Sequence, residues 1–146
     1  MVTDSVKIKG KLNVIHVDSE GHIKGEQEID NLVVATGKTV IASRLLGNTT
    51  PLPSHMAIGS SSTAAATSQT ALLGELGRVA FDSTSRSSNV NTYIATFPAG
   101  TGTGAVQEAG IFNAGSSGDM LCRTTFSVVN KAAGDSIIIT WNLTVA

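Results

Sequence analysis

From Arg78 to the C-terminus the chain is a series of alternating segments cut at short intervals by turn residues, and this punctuation restricts the fold more than any other feature. Five stretches read as strands: Arg78 to Ser83, Val90 to Phe97, Ala105 to Phe112, Met120 to Val128 and Ser136 to Val145. Between them lie clusters of Ser, Asn, Pro, Gly and Asp, residues that favour reversals of the chain. Short strands with such regular turn signals predict a mainly β fold, an antiparallel β-sandwich or jelly-roll-like body. The last strand is the clearest. Ile137, Ile139, Trp141, Leu143 and Val145 face one way and Ser136, Thr140, Asn142 and Thr144 the other, with Ile138 the exception, so Trp141 is expected at the centre of the core.

Aromatic residues make up 4% of the chain, which leaves few large side chains to fill that core. The segment from Asn91 to Asn113 contains Tyr93, Phe97 and Phe112, so the core should be assembled around it. Its Pro98 to Gly104 interval reads as a hairpin turn joining two central strands. Glu108 sits in the second of these among Val106, Ala109 and Ile111, a setting that calls for either an exposed face or a structural ion pair with Arg78 or Arg123. Cys122, the single cysteine, falls in the alternation Met120, Cys122, Thr124, Phe126 and reads as a small buried hydrophobe.

The first 30 residues read as a β-hairpin or arm, packing semi-independently of a body spanning residues 31–146. Val6, Ile8, Gly10, Leu12 and Val14 alternate with Lys7, Lys9, Lys11 and Asn13, and Asp18 to Gly21 supplies a turn. The three lysines share one strand face, which predicts a solvated or edge-protecting row. One short helix is expected near residues 36–46, capped by Thr36 and stopped by Gly47. Ser60 to Gln69 is a Ser/Thr/Ala run without bulky residues, a surface loop suited to contacts. Thr70 to Gly77 is expected to form one helical turn.

Signs of chemistry are weak. Thr36 to Thr39 has the T-G-K-T ending of a phosphate loop, but Leu32 stands where that motif needs glycine. Gly100, Gly102 and Gly104 are followed by a strand pattern, not by the helix a dinucleotide site requires. His16 and His22 flank one turn without a complete set of metal ligands. No nucleophile is paired with a base, so the reading is of a protein that is not an enzyme and carries no cofactor. A net charge of -1 with scattered Lys and Arg gives no footprint for nucleic acid. The opening residues lack the apolar core of a secretory signal and no run reaches the length of a membrane span, which predicts folding in a cytoplasm. Charged residues are only 14% of the chain, so the surface is poorly guarded against association.

Six motifs in order resemble those of small tailed-bacteriophage virion structural proteins, of the capsid decoration (cement) or tail and fibre-like kind. They are H-M-A-I-G at His55 to Gly59, T-A-L-L-G-E-L-G-R at Thr70 to Arg78 and Y-I-A-T-F-P-A-G-T-G-T-G at Tyr93 to Gly104. Q-E-A-G-I-F-N-A at Gln107 to Ala114, M-L-C-R-T at Met120 to Thr124 and K-A-A-G-D-S at Lys131 to Ser136 complete the set. The resemblance implies a virion location after synthesis in a host bacterial cytoplasm, with the major capsid protein or a tail protein as partner. It further implies a homo-oligomer, a trimer among the options. A tail or fibre component and a host-surface or carbohydrate-binding module are the alternatives. The expected structural or contact residues are Trp141, Phe97, Phe112, Tyr93, Glu108, Arg78, Lys7, Lys9 and Lys11.

Overall fold

The computed structural model describes residues 4–146. Residues 1–3, the start of the expected arm, lie outside the described residues. Nine strands and one helix follow in the order β1 (Ile8–Val17), β2 (Ile23–Val33), α1 (Ala35–Leu45), β3 (His55–Gly59), β4 (Glu75–Ala80), β5 (Ser83–Ser87), β6 (Val90–Phe97), β7 (Gly104–Phe112), β8 (Met120–Lys131) and β9 (Ser136–Val145). The protein is mainly β, as the punctuation predicts. All pairings are antiparallel and form one sheet ordered β4-β3-β7-β8-β2-β1-β9-β6-β5.

The sheet turns its corner at β2. Residues 23–31 of that strand pair with β1, but only Leu32 and Val33 pair with β8, opposite Arg123 and Cys122. Beyond them the strands diverge and side chains replace the ladder. Thr124 Oγ1 donates to the Asp30 carbonyl, and the Gln27 amide both donates to the Ser127 carbonyl and accepts from its N–H. Two half-sheets thus enclose one core, in which Leu12, Val14, Met56, Ile58, Phe97, Ile111, Ile137, Ile139 and Trp141 are almost fully buried.

The N-terminal hairpin is therefore not set apart from the body. β1 pairs with β9 over its whole length, from Ile8 opposite Val145 to Val17 opposite Ser136, and its Leu12 lies opposite Trp141. Its alternation is that of a strand with one buried face, and the face is buried by the body itself. A second correction concerns Pro98 to Gly104. β6 pairs with β9 and β5, while β7 pairs with β3 and β8, so the segment crosses between the half-sheets instead of closing a hairpin. Gly102 has φ 71°, and a Cβ there would come within 2.4 Å of Ile58 Cδ1, so the crossing chain packs directly on the core.

α1 ends as expected: Gly47 has φ 73°, its N–H donates to the Arg44 carbonyl, and Arg44 Nη1 donates to the carbonyls of Asn48 and Thr50. Its start differs from expectation. The N-cap is Val34 with no side-chain cap, and the Ala35 N–H instead donates to the Thr67 carbonyl at 2.9 Å. Gly37 explains the T-G-K-T stretch in packing terms: a Cβ there would meet the Leu121 carbonyl oxygen at 2.1 Å, so glycine lets the helix lie against β8. The expected helical turn at Thr70 to Gly77 is absent, because Glu75 already begins β4. Leu72 drops onto the outer face of β3 and β7 with Val34, Ala57, Phe112 and Met120 as a second small core. No helix among the described residues is long and apolar enough to cross a membrane.

Candidate interaction surface

The buried charged residues are engaged in holding loops. Glu108 and Arg123, both fully buried, pair at 3.0 Å from neighbouring strands, which makes Arg123 the partner of Glu108. Glu108 also accepts from the backbone N–H groups of Ser61 at 3.0 Å, Leu73 at 3.0 Å and Gly74 at 2.7 Å. Arg123 Nη1 reaches the Thr63 carbonyl at 2.8 Å and Gln69 Oε1 at 3.1 Å. One ion pair therefore fastens both ends of the Ser60 to Gln69 loop, which lies pinned over the second core. Arg78 does a similar task elsewhere. It makes a two-point contact with Glu75, at 2.7 and 3.2 Å, donates to the carbonyls of Ala114 and Ser117, and stacks over the Phe112 ring at 3.7 Å.

At the far end of the sheet, His16 Nε2 lies 2.8 Å from Asp135 Oδ2. The hydrogen bond with His16 and the Ala132 N–H hold the Asp135 carboxyl below its usual range. Lys131, almost fully buried, donates to the carbonyls of Pro98 and Asp135, and burial lowers its pKa. These groups lock the turn before β9 to β1 and to the crossing segment. His22 lies apart, 3.3 Å from Asp18 and 3.7 Å from Glu20. Among the described residues no three His, Cys, Asp or Glu side chains gather as metal ligands. Cys122 is fully buried and burial pushes its thiol pKa up, away from reactivity.

Apart from these locks, one surface is apolar. A mainly apolar groove of about 290 Å³ runs between α1 and the ends of β1, β6 and β9, lined by Ile8, Ile41, Leu45, Leu52, Tyr93 and Val145 among others, with Arg44 and Asn91 as its polar members. Leu45 is 84% exposed, Leu52 58% and Val145 44%, while Leu46 beside them is 83% exposed. Isolated exposed leucines are ordinary, whereas a contiguous set around a groove marks a surface that associates. The sequence reading does not place this groove, although Tyr93, one of its expected structural or contact residues, lines it. Its one signal is the Leu45-Leu46 pair, more apolar surface than so short a helix can bury with Val40 and Ile41 already facing the sheet.

Trp141, Phe97 and Phe112 are core residues, divided between the two apolar clusters, with Phe112 in the outer one. Tyr93 is half-buried, its ring centroid 4.9 Å from that of Phe81, and desolvation raises its pKa while one side of it lines the groove. Lys11 pairs with Glu28 at 3.4 Å. Lys9 stays beside Lys11, with Asp30 in the same depression, and on its other side joins Lys7 and Lys38 of α1 around a second one. No protein-family model, curated protein or solved structure matches the chain.

Proposed function

We propose that this chain is a virion structural protein of the tailed-phage kind, a capsid-decorating subunit that bridges neighbouring coat proteins and stabilises the shell. The observation that carries this reading is the exposed apolar groove beside α1 on a body whose buried charges are all spent on fixing loops. Such a body is a rigid presenter of surface, and the groove offers the desolvated pocket in which contacts between proteins concentrate their energy. The ordered motifs quoted above supply the assignment to virions. A carbohydrate-binding module would need an aromatic platform open to solvent; Trp141 is fully buried and Tyr93 half-buried against Phe81, which weighs against that alternative. The groove suits a coat protein segment that lays an apolar side chain between Leu45, Leu52 and Tyr93.

Cryo-electron microscopy of intact particles tests the location. Density for the nine-stranded body at icosahedral positions, with α1 turned towards the coat, is expected. Density confined to the tail replaces the decoration role with a tail role, and its absence from particles overturns the reading.

A further inference from the structure

At the opposite end of α1 from Leu45, Lys7, Lys9 and Lys38 line a depression of about 390 Å³ that also exposes Val6, Ile8 and Leu32, and no carboxylate lines it. Val6 is 74% exposed there. Lys7 is held in place by the ladder, since its N–H donates to the Ala146 carbonyl and its carbonyl accepts from the Ala146 N–H. Asp30 stands beside Lys9 in the adjoining depression, but no carboxylate lines the one that Lys7 and Lys38 share with it, so an anionic occupant offsets their mutual repulsion and covers the floor at once.

The chain carries such an occupant. On β2, Glu26, Glu28 and Asp30 are all exposed and stand two residues apart, about 7 Å from one to the next, the same repeat that separates Lys7 from Lys9. Within the chain this row is only partly neutralised. Lys11 lies 3.4 Å from Glu28, and Asn13 donates to Glu26 at 2.9 Å. The depression sits at the Leu32 end of β2 and the acidic row extends from there towards Ile23, which is 64% exposed. A second copy turned by 180° therefore sets its acidic row against the lysines while its own lysines meet the first copy's row.

We propose that these patches are the two halves of one isologous interface, and that the lysine depression is occupied by β2 of a second copy of this chain, giving a two-fold dimer. Isologous contacts of this kind need a surface complementary to itself, and the alternation of sign along β1 and β2 supplies it. The contact shares only Ile8 with the apolar groove and stands whether or not the groove meets a coat shell.

Sedimentation equilibrium and light scattering on the full chain test it with exposed residues only. Wild type should be a dimer of the 15.0 kDa chain at low salt. Its dissociation constant should rise at least about tenfold as salt shortens the screening length. K9E/K38E and E26K/D30K, the second chosen to leave the Lys11–Glu28 pair intact, should each be monomeric with an unchanged melting temperature. Mixing the two in equal amounts, or combining all four substitutions in one chain, should restore the dimer, which simple damage to the fold does not allow. A wild type that stays monomeric to about 100 µM, weaker than a useful protein contact, overturns the proposal. So does a trimer or larger assembly, or a dimer indifferent to both reversals.

Discussion

Replacing Glu108 by glutamine tests whether one buried ion pair fixes the Ser60 to Gln69 loop. The two carboxylate oxygens accept from four donors: Arg123 Nε and the backbone N–H groups of Ser61, Leu73 and Gly74. Glutamine keeps the shape, but its NH2 must point at donors in either orientation, and the guanidinium of Arg123 is left buried without its counter-charge. Breaking such a pair from one side costs about 3–5 kcal/mol. That is a large part of the roughly 5–15 kcal/mol by which a domain is stable. For a chain of this size each kcal/mol moves the melting temperature by about 2–4 °C, so E108Q should melt roughly 6–20 °C below wild type. The loss should be local first. Elastase should cut E108Q within Ala64 to Ala66 well below its melting temperature, where wild type resists. E108Q/R123M should recover part of the loss, because the unpaired charge is gone although at least one backbone N–H still faces the glutamine NH2 without an acceptor. A melting temperature within about 2 °C of wild type, with unchanged protease resistance, would refute the clamp.

Two further substitutions probe the frame that presents the surfaces. Gly37→Ala places a methyl 2.1 Å from the Leu121 carbonyl oxygen, so α1 must lift from β8. Overpacking of this kind costs about 1–3 kcal/mol, read as a fall in melting temperature and faster amide exchange in residues 35–45; an unchanged melt would mean that the helix is not seated on Gly37. Asp135→Asn removes the partner of His16. Because the folded carboxyl titrates below its ordinary value of 3.8, its stabilisation is complete above that pH and disappears as pH falls through the folded value. The gap in melting temperature between wild type and D135N should therefore narrow between about pH 5 and pH 2, and a gap that widens in acid contradicts the assignment.

Faces were legible in the sequence where neighbours were not. The alternation of β9 placed Ile137, Ile139, Trp141 and Leu143 inside correctly, and Val145 missed only because the last residue of the strand reaches the groove. A lone glutamate in an apolar strand rightly signalled an ion pair. Period-two patterns are silent about which strand lies alongside, however. β6 and β7 are consecutive, yet their connection runs through Gly100, Gly102 and Gly104, all with positive φ, and carries the chain across the core. The hairpin β1–β2 resembled a free arm because Glu26, Glu28 and Asp30 make its outer face polar, although Leu12, Val14 and Ile29 on the inner face belong to the core. Thr70 to Gly77 suggested a helix through the spacing of Leu72, Leu73 and Leu76. There a distant carboxylate decides, since Glu108 takes the N–H groups of Leu73 and Gly74 and leaves Leu72 to fall inward. The apolar groove escaped notice because it is composed from α1, the Pro51 to Pro53 turn and three strand ends that meet only in the folded chain.

The groove itself can be tested by rebinding. On the proposed decoration role, tailed-phage shells lacking this protein are incubated with purified wild type or with L45D/L52D, which alters two exposed side chains and should leave the melting temperature unchanged, and bound protein is counted by densitometry of sedimented particles. Wild type should saturate the shells and protect them against heat, whereas L45D/L52D should fail to bind at the same concentration. Equal occupancy by the two proteins would contradict a docking surface at the α1 groove.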